Sequence, residues 1–283
     1  MTDPVNADRR ARAALTCLPP DRHRTQRIHR HGPITVWERI AGRYPDIDPG
    51  RLLEQATESG WRLVIPGDPD WPATLDVPGR PLGLWVHGAG DLPGLLRRAV
   101  TLTGALAGSA YGRTVAADLA TKLTTQPGGE SVTVVAHGGG NGTDVAALTA
   151  AARRPAAVAV LDTPTDLFGQ PDLLRTVAAG GLLVSAAAPD ANPTPGHVLA
   201  RIELLAALAH ATVLIEARAS DDDALSVAYT AHFRRRRPVL AVPGPITALA
   251  SAGPHALLRD GTARCVTTAG HITAHLPDPP APR

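Results

Sequence analysis

The chain has 283 residues, 44% of them hydrophobic but only 3% aromatic, and a formal net charge of +2. That length suits one large α/β domain with a small companion, and its core must be built from Ala, Val and Leu. The charge is too small to imply a polyanionic partner by itself, and two remote cysteines, Cys17 and Cys265, argue against a disulfide framework or a zinc site.

No run approaches the roughly 18 apolar residues that a bilayer span needs. The N-terminus, MTDPVNADRRARAALTCLPP, has acids and early arginines in place of an apolar signal region. The expectation is a cytoplasmic protein without a membrane partner. Lys122 is the only lysine among 28 basic residues, so arginine abundance carries no recognition argument here.

Residues 1–60 read as a module of short helices: ARAALTCL, the basic PPDRHRTQRIHRHG, PITVWERIAGRY and DPGRLLEQATESG, each punctuated by Pro or Gly. The basic segment, with Arg22, Arg24, Arg27 and Arg30, reads first as a solvated helix face, because nearby acids almost balance it. From Trp61 the texture changes. WRLVIPG and PLGLWVHG are short strands. Then come apolar runs alternating with Ala-rich helical segments: AVTLTGA, SVTVVAHGGG, AAVAVLDTP, GGLLVSAAA, ATVLIEARA and RPVLAVPG, with TARCV as a possible last strand. Six buried-strand candidates separated by helices predict an α/β fold, a mostly parallel doubly wound sheet over 61–272. The Pro-rich tail, 273–283, is expected to be disordered.

In such a sheet ligands collect beyond the carboxyl ends of the strands. TGALAGSAYG puts Gly104 after a strand and Ser109, Tyr111 and Gly112 at a helix start, where backbone N–H groups suit an anion. Its spacing, G-x-x-x-G-x-x-x-G, is not the dinucleotide fingerprint. In HGGGNGTD, Gly138, Gly139 and Gly140 allow close backbone approach. Gly142 precedes a helix, and Asp144 either caps that helix or holds a ligand hydroxyl. No Lys-Ser/Thr follows, so ATP hydrolysis by a Walker loop is unsupported.

Arg201, before the strand that ends in Glu216, suits a phosphate, and Glu216 a ribose hydroxyl; a structural Arg–Glu pair is the equal alternative. Gly244, Ser251, Gly253 and His255 line a fourth turn, with no catalysis assigned. FRRRRP makes Arg234–Arg237 the densest basic patch, Arg235 and Arg236 at its centre and Phe233 as a stacking neighbour. SDDDA reads as a solvated loop. No catalytic residue, metal ligand or cofactor is assigned.

The order of these turns resembles the DprA/Smf family, the DNA-processing proteins of natural transformation. The similarity runs from about residue 10 to 270. It rests on IPGDPDWPATLDVPGRPLGLWVHG, on TGALAGSAYG against V-G-x-R-x-x-S-x-Y-G, and on HGGGNGTD against S-G-x-A-x-G-I-D. VLIEA stands against V-V-E-A, and AVPG is followed by SAGPHALLRDGTA. The resemblance implies a Rossmann-like domain behind a sterile-alpha-motif-like helical module. It also implies single-stranded DNA binding, a homodimer, delivery of DNA to RecA, and no established catalytic reaction. DNA or phosphate contacts are accordingly expected at Gly104, Ser109, Tyr111, Gly112, Gly138, Gly139, Gly142, Asp144, Arg201, Glu216, Arg235 and Arg236.

The chain departs from the family pattern at Leu106, where the family has Arg, at His137 and Leu148, and at Glu203 within the R-N-R motif. The Leu106 and Glu203 changes are expected to remove positive charge from a DNA groove. The resemblance also leads one to expect a C-terminal winged-helix extension, and no such segment is read within these 283 residues. GGNGTD also resembles the turn of LOG-type phosphoribohydrolases, but Ala146 stands at the catalytic Glu position. The second reading is therefore a nucleotide-binding sensor without hydrolytic chemistry.

Overall fold

The computed structural model describes residues 4–77, 80–125, 131–164, 170–219 and 223–278. Ser220, Asp221 and Asp222 of the acidic loop and residues 279–283 of the tail lie outside them. The chain forms two compact units: Met1–Gly88 with Leu161–Asp166 and Val184–Arg201, and Ala89–Val160 with Leu167–Leu183 and Ile202–Arg283.

The first unit opens with four helices, α1 (Pro4–Thr16), α2 (Arg22–His31), α3 (Pro33–Ile40) and α4 (Pro49–Glu58). Their boundaries follow from local chemistry. The Asp21 carboxylate accepts the Arg24 N–H at the start of α2, and Asp48 accepts the Gly50 N–H at the start of α4 at 2.8 Å. Pro33 and Pro49 open α3 and α4, where a missing N–H costs nothing. Leu15, Leu18, Val36 and Ile40 form a small apolar core. The basic helix α2 buries none of its residues. The strands β1 (Trp61–Val64) and β2 (Leu84–His87) pair antiparallel with Trp61 opposite His87. Trp85 is fully buried, and its indole N–H reaches Thr16 Oγ1 at 2.9 Å. Burial, and secondarily Asp190, push the Cys17 thiol up to about 12, which leaves it a poor nucleophile.

The second unit holds α5 (Leu92–Leu96), β3 (Ala99–Thr103), α6 (Ala110–Thr124), β4 (Thr133–His137), α7 (Thr143–Ala151), β5 (Ala157–Val160) and α8 (Pro171–Gly180). β6 (Leu182–Ser185) and α9 (Pro195–Ala207) each run across both units. Then follow β7 (Ala211–Leu214), α10 (Asp223–Tyr229), β8 (Val239–Ala241), α11 (Ala252–Arg259), β9 (Arg264–Cys265) and α12 (Ala269–Thr273). A π-turn over Thr230–Arg234 extends α10.

The strand order here is β6-β5-β4-β3-β7-β8-β9. β3 pairs in parallel with β4 and β7, β4 with β5, β7 with β8, and β8 with β9. Every residue of β3, β4, β5, β7 and β8 is buried, as a sheet covered on both faces requires. All six buried-strand expectations are met by β3–β8, and TARCV by the two-residue β9. The chain enters this sheet at β3, builds outward through β4 and β5, then resumes on the other side of β3 with β7 and β8. The direction of winding therefore reverses between β3 and β7, and in open α/β sheets ligands bind beyond the carboxyl ends of the strands at such a reversal.

Candidate nucleic-acid interface

Two buried carboxylates close the carboxyl edge. Asp144, in the first turn of α7, accepts the Gly104 N–H at 2.9 Å and the His137 N–H at 3.1 Å, and so ties the ends of β3 and β4 together. Its exposure is 3%. Asp144 does not cap α7, whose N-cap is Gly142 without a side-chain bond; its carboxylate joins the two strand ends instead. Glu216, 2% exposed at the end of β7, accepts the Ser109 N–H at 3.0 Å and the Ser109 hydroxyl. This bond spans β3 to β7, at the reversal of winding. The Ser109 hydroxyl also caps α6 by accepting the Gly112 N–H at 3.1 Å. A Cβ on Gly112 would lie 2.1 Å from Glu216 Oε2, so any larger residue there must displace the Glu216 carboxylate.

The two glycine turns interlock. The Asn141 N–H donates to Leu106 O at 3.1 Å and the Thr143 N–H to Ala105 O at 3.4 Å. A Cβ on Gly142 would stand 1.9 Å from Ala105 O. Gly138, Gly139 and Gly142 are buried; Gly140 and Gly142 face Ala105 and Leu106, while the Gly138 N–H is spent on Val160 O. These glycines allow one turn to seat on the other, and the surface is left to Gly140 and Asn141. The start of α6 is open: Ser109, Ala110 and Tyr111 are exposed.

Tyr111 donates its hydroxyl to Pro243 O at 2.8 Å, which links this rim to the turn after β8. Burial, then the Glu216 carboxylate, raise the Tyr111 pKa, so the hydroxyl stays a donor. His255 bonds Gly244 O at 3.0 Å, and a Cβ on Gly244 would strike Ser251 Oγ at 2.2 Å, so this fourth turn is likewise self-contained. What the edge offers outward is mostly apolar: Leu106, Tyr111, Ile246 and Leu249 are exposed, Ile246 by 92%. Arg113 and Arg218, which the sequence reading did not single out, are exposed on the same edge and bring its positive charge. The Arg113 guanidinium donates to Gly108 O at 2.6 Å.

The remaining expected contacts lie elsewhere. Arg201 belongs to the first unit and sits in the interior of α9. It is 3% exposed and donates to Asp162 Oδ1 at 2.8 Å, so the expected Arg–Glu pair is an Arg–Asp pair. Arg235 and Arg236 immediately precede β8. In a parallel sheet that puts them at the amino edge, opposite the glycine turns, so one groove cannot hold both sets. Glu203 is there too: it pairs with Arg235 at 2.8 Å and with Arg234. Its negative charge offsets part of that cluster and takes nothing from the carboxyl edge. Burial lowers the pKa of Arg235, and burial followed by Arg235 lowers that of Arg237.

Among the described residues no group of three His, Cys, Asp or Glu side chains could hold a metal ion. No helix there is long and apolar enough to cross a membrane.

Interlocked glycine turns over a reversal of winding define a Rossmann-like α/β protein. The chain belongs to the family described as DNA recombination-mediator protein A, which matches residues 62–277. It is 37% identical over 253 residues to the DNA processing protein DprA of Mycobacterium tuberculosis, covering 81% of this chain and 63% of that one. Protein Smf of Synechocystis is 26% identical over 210 residues, covering 70% of this chain and 50% of the other. The chain thus spans half to two-thirds of these curated relatives.

Two solved structures share the fold. DNA processing protein A from Streptococcus pneumoniae has a TM-score of 0.71 at 24% identity, covering 87% of this chain and 83% of that one. The Helicobacter pylori protein, described for its single-stranded DNA binding mode, has a TM-score of 0.64 at 21% identity, covering 76% and 94%.

Proposed function

We propose that this chain binds single-stranded DNA at the carboxyl edge of its sheet, between β3, β7 and β8, and acts in DNA processing for recombination and transformation. As a homodimer it hands the strand to RecA. The observation that carries this reading is the rim at the reversal of winding. There the start of α6 is open, Arg113 and Arg218 supply positive charge, and Tyr111, Leu106, Ile246 and Leu249 offer exposed aromatic and apolar surface. Unpaired bases stack on such surface and paired bases do not, which favours a single strand over a duplex.

Family membership over residues 62–277 supports the DNA-processing role. Gly104, Gly112, Gly138, Gly139, Gly142, Asp144 and Glu216 shape the rim, and Ser109 and Tyr111 meet the strand. Leu106, in place of the family's Arg, takes away one phosphate contact, about 0.7 of a unit of salt slope for a single strand. A nucleotide-phosphate site at the 140–143 part of the turn is disfavoured, because Ala105 and Leu106 lie against it.

The test is fluorescence anisotropy of labelled oligo(dT) across a salt series, with a hairpin duplex as comparison. Salt-sensitive binding that prefers the single strand, and that weakens about tenfold in Tyr111→Ala, is expected. Absence of binding to oligo(dT) at low salt overturns the reading. Sedimentation of the protein alone tests the homodimer, and loading of RecA onto a pre-bound strand tests the hand-over.

A further inference from the structure

The amino edge of the same sheet carries a row of arginines that the carboxyl-edge site does not use. Arg153 and Arg154 precede β5, Arg97 and Arg98 precede β3, and Arg234–Arg237 precede β8. The strand order β5-β4-β3-β7-β8 sets these groups side by side along one edge. Four strand spacings of ~4.8 Å make the row about 19 Å long. Arg97, Arg153, Arg154, Arg234 and Arg236 are exposed. Among the described residues Glu203 pairs with Arg234 and Arg235 of the 234–237 cluster.

At the end of the row stands an aromatic platform. The π-turn over Thr230–Arg234 brings Phe233 into a stack on Tyr229, ring centroids 6.0 Å apart, with His232 against its edge at 4.7 Å. Phe233 is 56% exposed, in a chain with two phenylalanines in all. The turn also leaves Arg236 at a φ of 53°, a conformation that non-glycine residues rarely hold.

Helix dipoles explain part of this pattern, since α7 and α10 end at this edge and cations favour helix carboxyl ends. They do not call for an exposed phenylalanine stacked beside the densest cationic segment. Cations in a line suit successive phosphates, and an exposed aromatic face beside them suits a base that is not paired. We propose that the amino edge, from Arg153 and Arg154 past Arg97 to Arg236, is a second track for single-stranded nucleic acid, with Phe233 stacking one base. This inference rests on the single-strand reading of the carboxyl edge and extends it: a bound strand contacts both ends of the sheet.

The experiment compares three full-length proteins by anisotropy on labelled oligo(dT) and on a hairpin duplex, over a salt series. They are the parent, the variant Arg97→Gln/Arg153→Gln/Arg154→Gln/Arg236→Asn, and Phe233→Leu. Circular dichroism checks that each is folded. The quadruple variant is expected to flatten the log–log salt dependence for oligo(dT) by nearly 3 units, about 0.7 for each phosphate released from a single strand. Phe233→Leu is expected to weaken oligo(dT) binding about tenfold with the slope unchanged, since stacking releases no ions. If the parent binds and a folded quadruple variant keeps the parent slope, the arginines serve only the helix ends and the inference fails while the carboxyl-edge reading stands. An equal loss on the hairpin duplex, with Phe233→Leu silent, assigns the edge to duplex backbone and also overturns it. A parent that does not bind oligo(dT) removes both readings at once.

Discussion

The two ends of the sheet solve opposite problems. At the carboxyl edge, charge is buried and consumed: Asp144 and Glu216 spend their oxygens on backbone N–H groups and on Ser109, and the exposed surface is largely apolar. At the amino edge, charge is displayed: arginines stand before β3, β5 and β8, and Glu203 holds two of them. Glycine governs the first edge because turns must touch backbone to backbone. Arginine governs the second because three helix-to-strand connections arrive there with their helix carboxyl ends. Motif residues therefore mark where a fold is built, and the cationic surface need not coincide with them.

The contrast can be broken most sharply at the carboxyl edge. Gly142→Ala puts a methyl group where Ala105 O already stands, at 1.9 Å. Neither partner is a flexible side chain, so the interlocked turns must separate, and a loss of about 3 kcal/mol in urea unfolding is expected. A loss below about 1 kcal/mol would mean that the turns are not rigidly seated.

The amino edge should respond in the other direction. Arg236→Gly removes a cation but relieves the left-handed backbone at φ 53°. Stability should hold or rise by up to about 1 kcal/mol, while oligo(dT) binding weakens. A clear destabilisation would show that Arg236 contributes more through its side chain than its backbone costs.

The smallest expected effect is a pH dependence at that same edge. Burial first, then Arg237, lower the His210 pKa, and its Nδ1 faces the Ala99 N–H, which suits a neutral ring. The folded state thus binds this proton more weakly than the unfolded chain. Above the unfolded histidine value of ~6.5 both states are neutral and nothing is lost. As pH falls through that value, the unfolded chain takes up a proton first and stability declines. His210→Gln should flatten part of the decline between neutral pH and pH 5. His197, also lowered by burial against the opposing pull of Asp162, keeps the rest. Identical pH profiles for parent and variant would remove His210 from the account.

Much of this fold was legible because it is made of local signals. All-apolar runs such as VTVVAH and AVAVL are what a strand buried on both faces must be, and Pro33, Pro49, Asp21 and Asp48 mark helix starts by chemistry confined to one turn. The ordered glycines and the Ser109, Tyr111 and Glu216 positions were legible as a family pattern. The partner of each polar group was not. Arg201 and Asp162 are 39 residues apart, and Ser109 and Glu216 are 107 apart. No periodicity links such pairs. Arg153, Arg154 and Arg97 passed unnoticed because each is unremarkable in its own segment.

By itself the sequence determined the class of fold, the order of its elements and the family to which the chain belongs, since hydrophobic period, caps and turn residues act within a few residues. Only the tertiary structure decided that the glycines serve turn-on-turn contact and that Glu203 holds the arginine cluster. It alone put Arg235 and Arg236 at the opposite end of the sheet from Ser109 and Tyr111. The physical reason is strand direction: in a parallel sheet, residues before and after a strand are separated by its whole length, and pairing order, which no single segment contains, sets which of them become neighbours.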